Sequence, residues 1–176
     1  MKRILVIGAG RSARILIDYL LDNSSVHNWN VTVADYSLDL AKDSINNSEN
    51  GSAILFDVND EKQRQLEISK SDIVISMLPA SMHVDVAKDC INFKKDLVTA
   101  SYVSEEMNNL NKQAKDADVL LLNEIGLDPG IDHMSAKKVI DEIHADGGKI
   151  HTFKSFCGGL VAPKYDTNLW NYKFTW

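Results

Sequence analysis

The sequence predicts a doubly wound α/β domain, a parallel sheet with helices on both faces, followed by the start of a second α+β unit. Three observations carry that prediction. Short apolar runs alternate repeatedly with one-faced helical segments, a glycine-rich turn follows the first run, and the apolar period changes near the carboxyl end. The first run, Lys2-Arg3-Ile4-Leu5-Val6-Ile7, is continuously apolar after its two basic residues, as a strand covered on both faces requires, and Gly8 ends it. Ala13, Leu16, Ile17, Leu20 and Leu21 then recur at helical spacing until Asp22-Asn23-Ser24-Ser25 breaks the pattern. Further strands are expected at Val31-Thr32-Val33-Ala34, Ala53-Ile54-Leu55-Phe56, Ile73-Val74-Ile75-Ser76-Met77-Leu78, Leu97-Val98-Thr99-Ala100 and Val119-Leu120-Leu121-Leu122. The clearest helices between them cover residues 81–93 and 104–117. The second places Met107, Leu110, Ala114 and Ala117 on one face, with Glu105 and Glu106 in the first turn, where the positive end of the helix favours them. Repeated strand-helix alternation needs right-handed crossovers, hence a mostly parallel sheet.

A seventh helix is expected from Asp128-Pro129 to Gly147-Gly148, and one more strand over residues 150–156. Trp170, Tyr172, Phe174 and Trp176 alternate with polar residues, which places four aromatics on one face of a strand that needs a second sheet to bury them. The chain is therefore expected to stop just inside a second, incomplete unit.

Composition narrows the function classes. With 44% hydrophobic and 25% charged residues, and only 9 Gly and 3 Pro, the chain is neither disordered nor collagen-like. A net charge of -6 argues against general affinity for nucleic acid or anionic membrane and points to small-molecule partners. No apolar run approaches the ~18 residues that span a bilayer, and the run after Met1-Lys2-Arg3 is too short for a signal-peptide core, so a cytoplasmic protein is expected. Cys90 and Cys157 stand far apart with no C-x-x-C pair, so neither a disulfide framework nor a thiolate metal site is indicated, and no metal is expected.

Gly8-Ala9-Gly10-Arg11-Ser12-Ala13 fits G-x-G-x-x-A between a strand and an amphipathic helix, which is the dinucleotide-binding (Rossmann) context. Gly8 permits the tight turn, Gly10 admits a diphosphate close to the backbone, and Ala13 lets helix and strand pack closely. Arg11 is placed to reach a phosphate oxygen. Asp35 ends the second strand, where a carboxylate accepts ribose hydroxyls and repels a 2′-phosphate, favouring NAD over NADP; the polar stretch 22–30 is expected to be a loop that absorbs the long spacing. Asp57-Val58 and Leu78-Pro79 end the third and fourth strands, the side on which open α/β sheets bind ligands, though Asp57 also suits the cap of a helix starting near Asn59. Residues 1–127 are thus expected to form the dinucleotide-binding domain. Residues 128–176 would be the connecting helix and first strands of a substrate or dimerisation domain, through which the protein is expected to form a homodimer.

Leu78-Pro79-Ala80-Ser81-Met82-His83, Thr99-Ala100-Ser101-Tyr102, Gly126-Leu127-Asp128-Pro129-Gly130-Ile131-Asp132-His133 and Phe156-Cys157-Gly158-Gly159-Leu160 occur in this order, and with them the chain resembles the glutamate-forming saccharopine dehydrogenase (saccharopine reductase) family over nearly its whole length. The resemblance implies an NAD(P)-dependent oxidoreductase of lysine metabolism. Such an enzyme oxidises the secondary amine of saccharopine to an imine, which water splits into glutamate and 2-aminoadipate semialdehyde, or it runs the reductive condensation in reverse. By the same resemblance Gly10, Arg11, Ser12, Ala13, Asp57, Val58, Leu78, Pro79, Ser101, Tyr102, Leu127, Asp128 and Pro129 would contact the coenzyme, and Tyr102, Val103 and Asp128 the amino-acid substrate. Fungal members use NADP and carry a basic residue near the end of the second strand, where this chain has Asp35. Alternatives are a carboxynorspermidine synthase type of reductive condensation in polyamine synthesis, and a dinucleotide-binding module without turnover.

Hydride transfer belongs to the coenzyme, so the protein must manage protons on amine, imine and carbinolamine. Asp128, Tyr102 and Cys157, each in a loop after a strand, are the candidate catalytic groups. Asp128 before Pro129 also has the form of an N-cap followed by proline at the first helical position. His133 is expected to be structural. A substrate with three carboxylates needs Arg or Lys in bidentate geometry. Lys154 and Lys164 are the local candidates, but the expected source is arginines past Trp176, so the chain by itself is expected to be inactive.

Overall fold

The computed structural model describes residues 1–156. Six strands, β1 (Lys2–Ile7), β2 (Trp29–Asp35), β3 (Gly51–Leu55), β4 (Ile73–Ser76), β5 (Asp96–Thr99) and β6 (Leu121–Leu122), form one sheet in the order β3-β2-β1-β4-β5-β6. Every pairing is parallel. This is the doubly wound arrangement the alternation predicts, and the winding reverses between β1 and β4, which opens a crevice at their carboxyl ends.

The continuous apolar run of β1 is explained by its place in the middle. Ile4 and Val6 pack on one face with Ala13, Ile17, Val31 and Val33, while Leu5 and Ile7 pack on the other with Phe56, Ile68, Val86 and Leu97. Both faces are dry. A one-residue slip would exchange the two sets between the cores, so alternation fixes the register in which Ile4 lies opposite Val31 and Ile73.

The helices are α1 (Arg14–Asp22), α2 (Ser24–His27), α3 (Leu38–Ile45), α4 (Glu61–Lys70), α5 (His83–Phe93), α6 (Glu105–Asn109), α7 (Asn111–Ala117) and α8 (Ile131–Ala145), with a single 3₁₀ turn at Ala80–Met82 ahead of α5. Several expectations are corrected. The stretch 22–30 is no loop. Asn23 caps α1 through its backbone amide, α2 follows at once, and the left-handed Asn28 turns the chain into β2. The helix expected over 104–117 is two helices that meet at Leu110, a buried residue; the bend keeps Met107, Leu110 and Ala114 on the core together. Asp60, not Asp57, caps α4, its carboxylate accepting the Gln63 amide. The last helix starts at Ile131, so Asp128 is not its cap. It stops as expected, with the Gly147 and Gly148 amides donating to the carbonyls of His144 and Ile143. The strand expected over 150–156 is absent; those residues pair with no strand among the described residues.

The chain divides into two units at Ile131 and Asp132. Everything described below as a site lies in the first. Cys157, Lys164 and the aromatic alternation at 170–176 lie outside the described residues. No helix among the described residues is long and apolar enough to cross a membrane.

Candidate functional site

The turn after β1 is held from three directions. The Gly8 amide donates to Ala34 O at 2.8 Å, the Met77 amide to Ile7 O at 2.8 Å, and the Ala9 amide to Asp35 Oδ2 at 2.7 Å. Asp35 Oδ1 also accepts the Ser37 amide at 2.8 Å, so both carboxylate oxygens tie the end of β2 to backbone. The sequence assigns Asp35 to a ribose; the structure adds a second role, as the brace of the glycine turn.

The two glycines differ in an informative way. Gly8 has φ +104, and a Cβ there would stand 3.0 Å from Met77 O, so the fold itself demands glycine. Gly10 has ordinary backbone, is exposed, and a Cβ there would meet nothing within 4 Å. Nothing in the protein requires its missing side chain. Among the described residues the amides of Gly10, Arg11 and Ser12 also donate to no protein acceptor. A bare stretch of backbone with free N–H groups at the foot of α1 fits a diphosphate, which takes such donors and tolerates no side chain in its path. The adjoining cleft, of about 540 Å³, is lined by Ala9, Gly10, Arg11, Arg14, Leu40, Asp43 and Ser44. Ala13 is fully buried and seats α1 against the sheet, as its small size predicts.

Asp57 and Val58 stand at the end of β3, two strands from β1. Asp57 Oδ1 accepts the Asn59 amide at 2.9 Å, and Val58 O accepts Arg64 Nη1 at 2.6 Å, so this turn is fastened by its own helix. Leu78 and Pro79 follow β4. The structure brings Tyr102 and Asp128 together: the Tyr102 hydroxyl donates to Asp128 Oδ1 at 2.9 Å. Two bonds close the turn that carries Asp128, from the Gly126 amide to Pro129 O at 2.8 Å and from the Ile131 amide to Gly126 O at 2.9 Å. The loop after β5 is tied to the one after β6, the Glu124 amide donating to Ser101 O and the Val103 amide to Glu124 Oε1, both at 3.1 Å. Ala80, Ala100, Ser101, Tyr102, Val103, Ser104, Asp128 and Pro129 line a cleft of about 420 Å³ here. Leu127, next to Asp128 in the chain, is 73% exposed and is not among the lining residues. Lys154 is exposed, and His133 in the second unit bonds Asp132 at 2.8 Å. No group of three or more His, Cys, Asp or Glu that would hold a metal occurs among the described residues.

Sequence reasoning passed over His83, quoted only within a motif. It is 3% exposed and its ring lies among three hydroxyls. The signal was present: His83, Val86, Ala87, Cys90 and Ile91 share one helical face, all buried, so periodicity alone assigns this histidine to the interior. Arg14, which follows the glycine turn in the sequence, donates from Nη1 to Asp43 O at 3.1 Å across the first cleft.

With that geometry in place, comparison with known proteins is specific. The profile of the saccharopine dehydrogenase NADP binding domain matches residues 4–122, and that of the saccharopine dehydrogenase C-terminal domain matches residues 126–176. The chain is 46% identical over 175 residues to saccharopine dehydrogenase [NADP(+), L-glutamate-forming] of Pyricularia oryzae, covering 99% of this chain and 38% of that protein. It is 40% identical to alpha-aminoadipic semialdehyde synthase of Arabidopsis thaliana, covering 98% of this chain and 18% of the relative. Among solved structures, apo saccharopine dehydrogenase (L-Glu forming) from Saccharomyces cerevisiae superposes with a TM-score of 0.88 at 41% identity, over 100% of this chain and 39% of that one. A 3-ketoreductase from Actinomadura kijaniata, solved with NADP, matches at 17% identity and a TM-score of 0.61 over 82% of this chain and 44% of its own, a likeness of fold alone. This chain thus spans under two fifths of the length of the relatives it matches here.

Proposed function

The chain belongs to the saccharopine dehydrogenase family, and from that premise we propose that it is the dinucleotide-binding part of an oxidoreductase acting on the CH–NH bond of saccharopine in lysine metabolism. The observation that carries the reading is the undressed backbone at Gly10, which the fold leaves unexplained and a diphosphate explains. A nicotinamide coenzyme, when bound, supplies the acceptor or donor of the hydride.

The chain's own residues do the rest. Gly10, Arg11, Ser12 and Ala13 receive the diphosphate at the end of β1, and Asp57, Val58, Leu78 and Pro79 form the walls along the carboxyl rim of the sheet. Tyr102 and Asp128 hold the proton. The phenol donates to Asp128 Oδ1, which leaves Oδ2 to take a proton from the secondary amine as the imine forms and to return one during hydrolysis. Ser101 and Val103 line the same cleft, and Cys157 is the third candidate for proton transfer. Residues 128–176 supply the connecting helix and first strands of the substrate and dimerisation domain.

For the coenzyme we favour NADP. Asp35 is engaged by two amides, and Arg11 and Arg14 line the cleft beside the glycine turn, which supplies the positive charge that a 2′-phosphate needs. NAD is the second reading, favoured by the negative charge that Asp35 retains. Titrating the chain with NADPH and with NADH, followed by fluorescence, separates them. Gly10→Ala is expected to leave the melting temperature unchanged and to weaken binding at least about tenfold, a loss of ~1.4 kcal/mol. Absence of binding by the unaltered chain to either coenzyme overturns the proposal.

A further inference from the structure

His83 brings a polar ring into the interior. It opens α5 on that helix's buried face, beside Val86 and Ala87, a place that an apolar side chain would fill without desolvating two nitrogens. Around the ring the hydroxyls converge. Nδ1 lies 2.9 Å from Ser76 Oγ, and Nε2 lies 2.8 Å from Ser101 Oγ and 3.1 Å from Thr99 Oγ1. Ser76 and Thr99 are register partners, the last rung of the β4–β5 ladder. The imidazole therefore sits across the point where two strands let go of each other and their loops begin.

Those loops are the ones that matter. After β4 come Leu78 and Pro79, and after β5 come Ser101, Tyr102 and Val103. Ser101 is bonded to His83 through its side chain and to Glu124 through its carbonyl, and Val103 returns to the Glu124 carboxylate. Tyr102 is thus suspended between two anchored neighbours, with its hydroxyl on Asp128.

We propose that His83 is a positioning residue, which clamps the β5 loop to the end of β4 and so fixes the reach of Tyr102 to Asp128. The inference rests on the reading of this rim as a coenzyme and substrate site. A directional bridge from one ring to both strands does what an apolar residue cannot, because packing fixes volume while hydrogen bonds fix which loop atoms face each other.

Two substitutions separate positioning from mere filling. In His83→Asn the side-chain amide reaches about as far as Nδ1, keeping Ser76 and losing the β5 hydroxyls; in His83→Gln it reaches about as far as Nε2, keeping Ser101 and Thr99. Both place an amide in the same interior. The test measures amide hydrogen exchange at Val103 and Glu124, melting temperature and NADPH affinity for both variants of the 176-residue chain. The expected result is exchange about tenfold faster in His83→Asn than in His83→Gln, with NADPH bound more weakly and the two melting temperatures alike. The paired substitution Thr99→Val with Ser101→Ala makes the same cut while leaving the histidine in place, and is expected to accelerate exchange equally, so the test survives if His83→Asn does not fold. Equal exchange at Val103 and Glu124 in the two His83 variants, or unchanged exchange in the paired variant, overturns the clamp. If the unaltered chain binds no dinucleotide, the functional reading fails while the exchange comparison still decides the clamp.

Discussion

Burial pushes the His83 imidazole below its ordinary value of 6.5, because a charged ring there loses its hydration and the partners at its nitrogens are hydroxyls rather than a carboxylate. The unfolded chain takes up this proton near 6.5 while the folded chain stays neutral to lower pH. The unfolded state therefore binds more protons in that window. The histidine's contribution to stability is whole above 6.5, declines as pH falls towards the depressed folded value, and declines no further below it. Thermal melts between about pH 8 and about pH 5 are expected to show that decline, and His83→Gln to flatten it; an identical slope in both proteins would refute the assignment. At this scale the sequence was legible where a residue's identity is dictated by its neighbours. Gly8 and Ala13 were placed correctly because turn and packing leave few choices. Asp35 was not fully legible, since its bond to the Ala9 amide spans 26 positions and no local pattern announces it.

Between elements, the pair Arg64 on α4 and Asp89 on α5 is the most buried ion pair among the described residues. Nε lies 2.6 Å from Asp89 Oδ2, both side chains are at most 10% exposed, and Nη1 continues to Val58 O at 2.6 Å. It joins two helices to the turn after β3. Removing one partner strands the other charge inside, so Asp89→Ala is expected to lower stability by about 3–5 kcal/mol in urea unfolding, whereas Arg64→Met with Asp89→Leu recovers most of it. A loss below about 1 kcal/mol for the single change would show the pair to be solvated. Elements buried on both faces, such as β1, were legible from composition alone. Their ends were not. The bend at Leu110 answers to the core beneath it, and Asp128-Pro129 imitates a helix start while in fact sitting in a turn closed from Gly126 to Ile131.

For the molecule as a whole, Cys90 offers a single probe. It is fully buried in α5, and its burial, helped by Asp89 and Asp96, drives the thiol far above its usual range. In a chain carrying Cys157→Ser, a thiol reagent is expected to label Cys90 only through global opening, at the rate set by the unfolding equilibrium. Saturating coenzyme at 100 times its Kd should then slow labelling by about 100-fold. Fast labelling insensitive to coenzyme would mean that α5 opens locally and that the sheet does not melt as one body.

The brace between Asp35 and the glycine turn bears on any attempt to redesign coenzyme choice. Exchanging the acid at this strand end is the obvious lever, but here it would also release the Ala9 amide and slacken the loop proposed to receive the diphosphate. Under the proposed function, selectivity and grip would share one side chain, so an engineer would do better to alter Arg11 and leave the carboxylate alone.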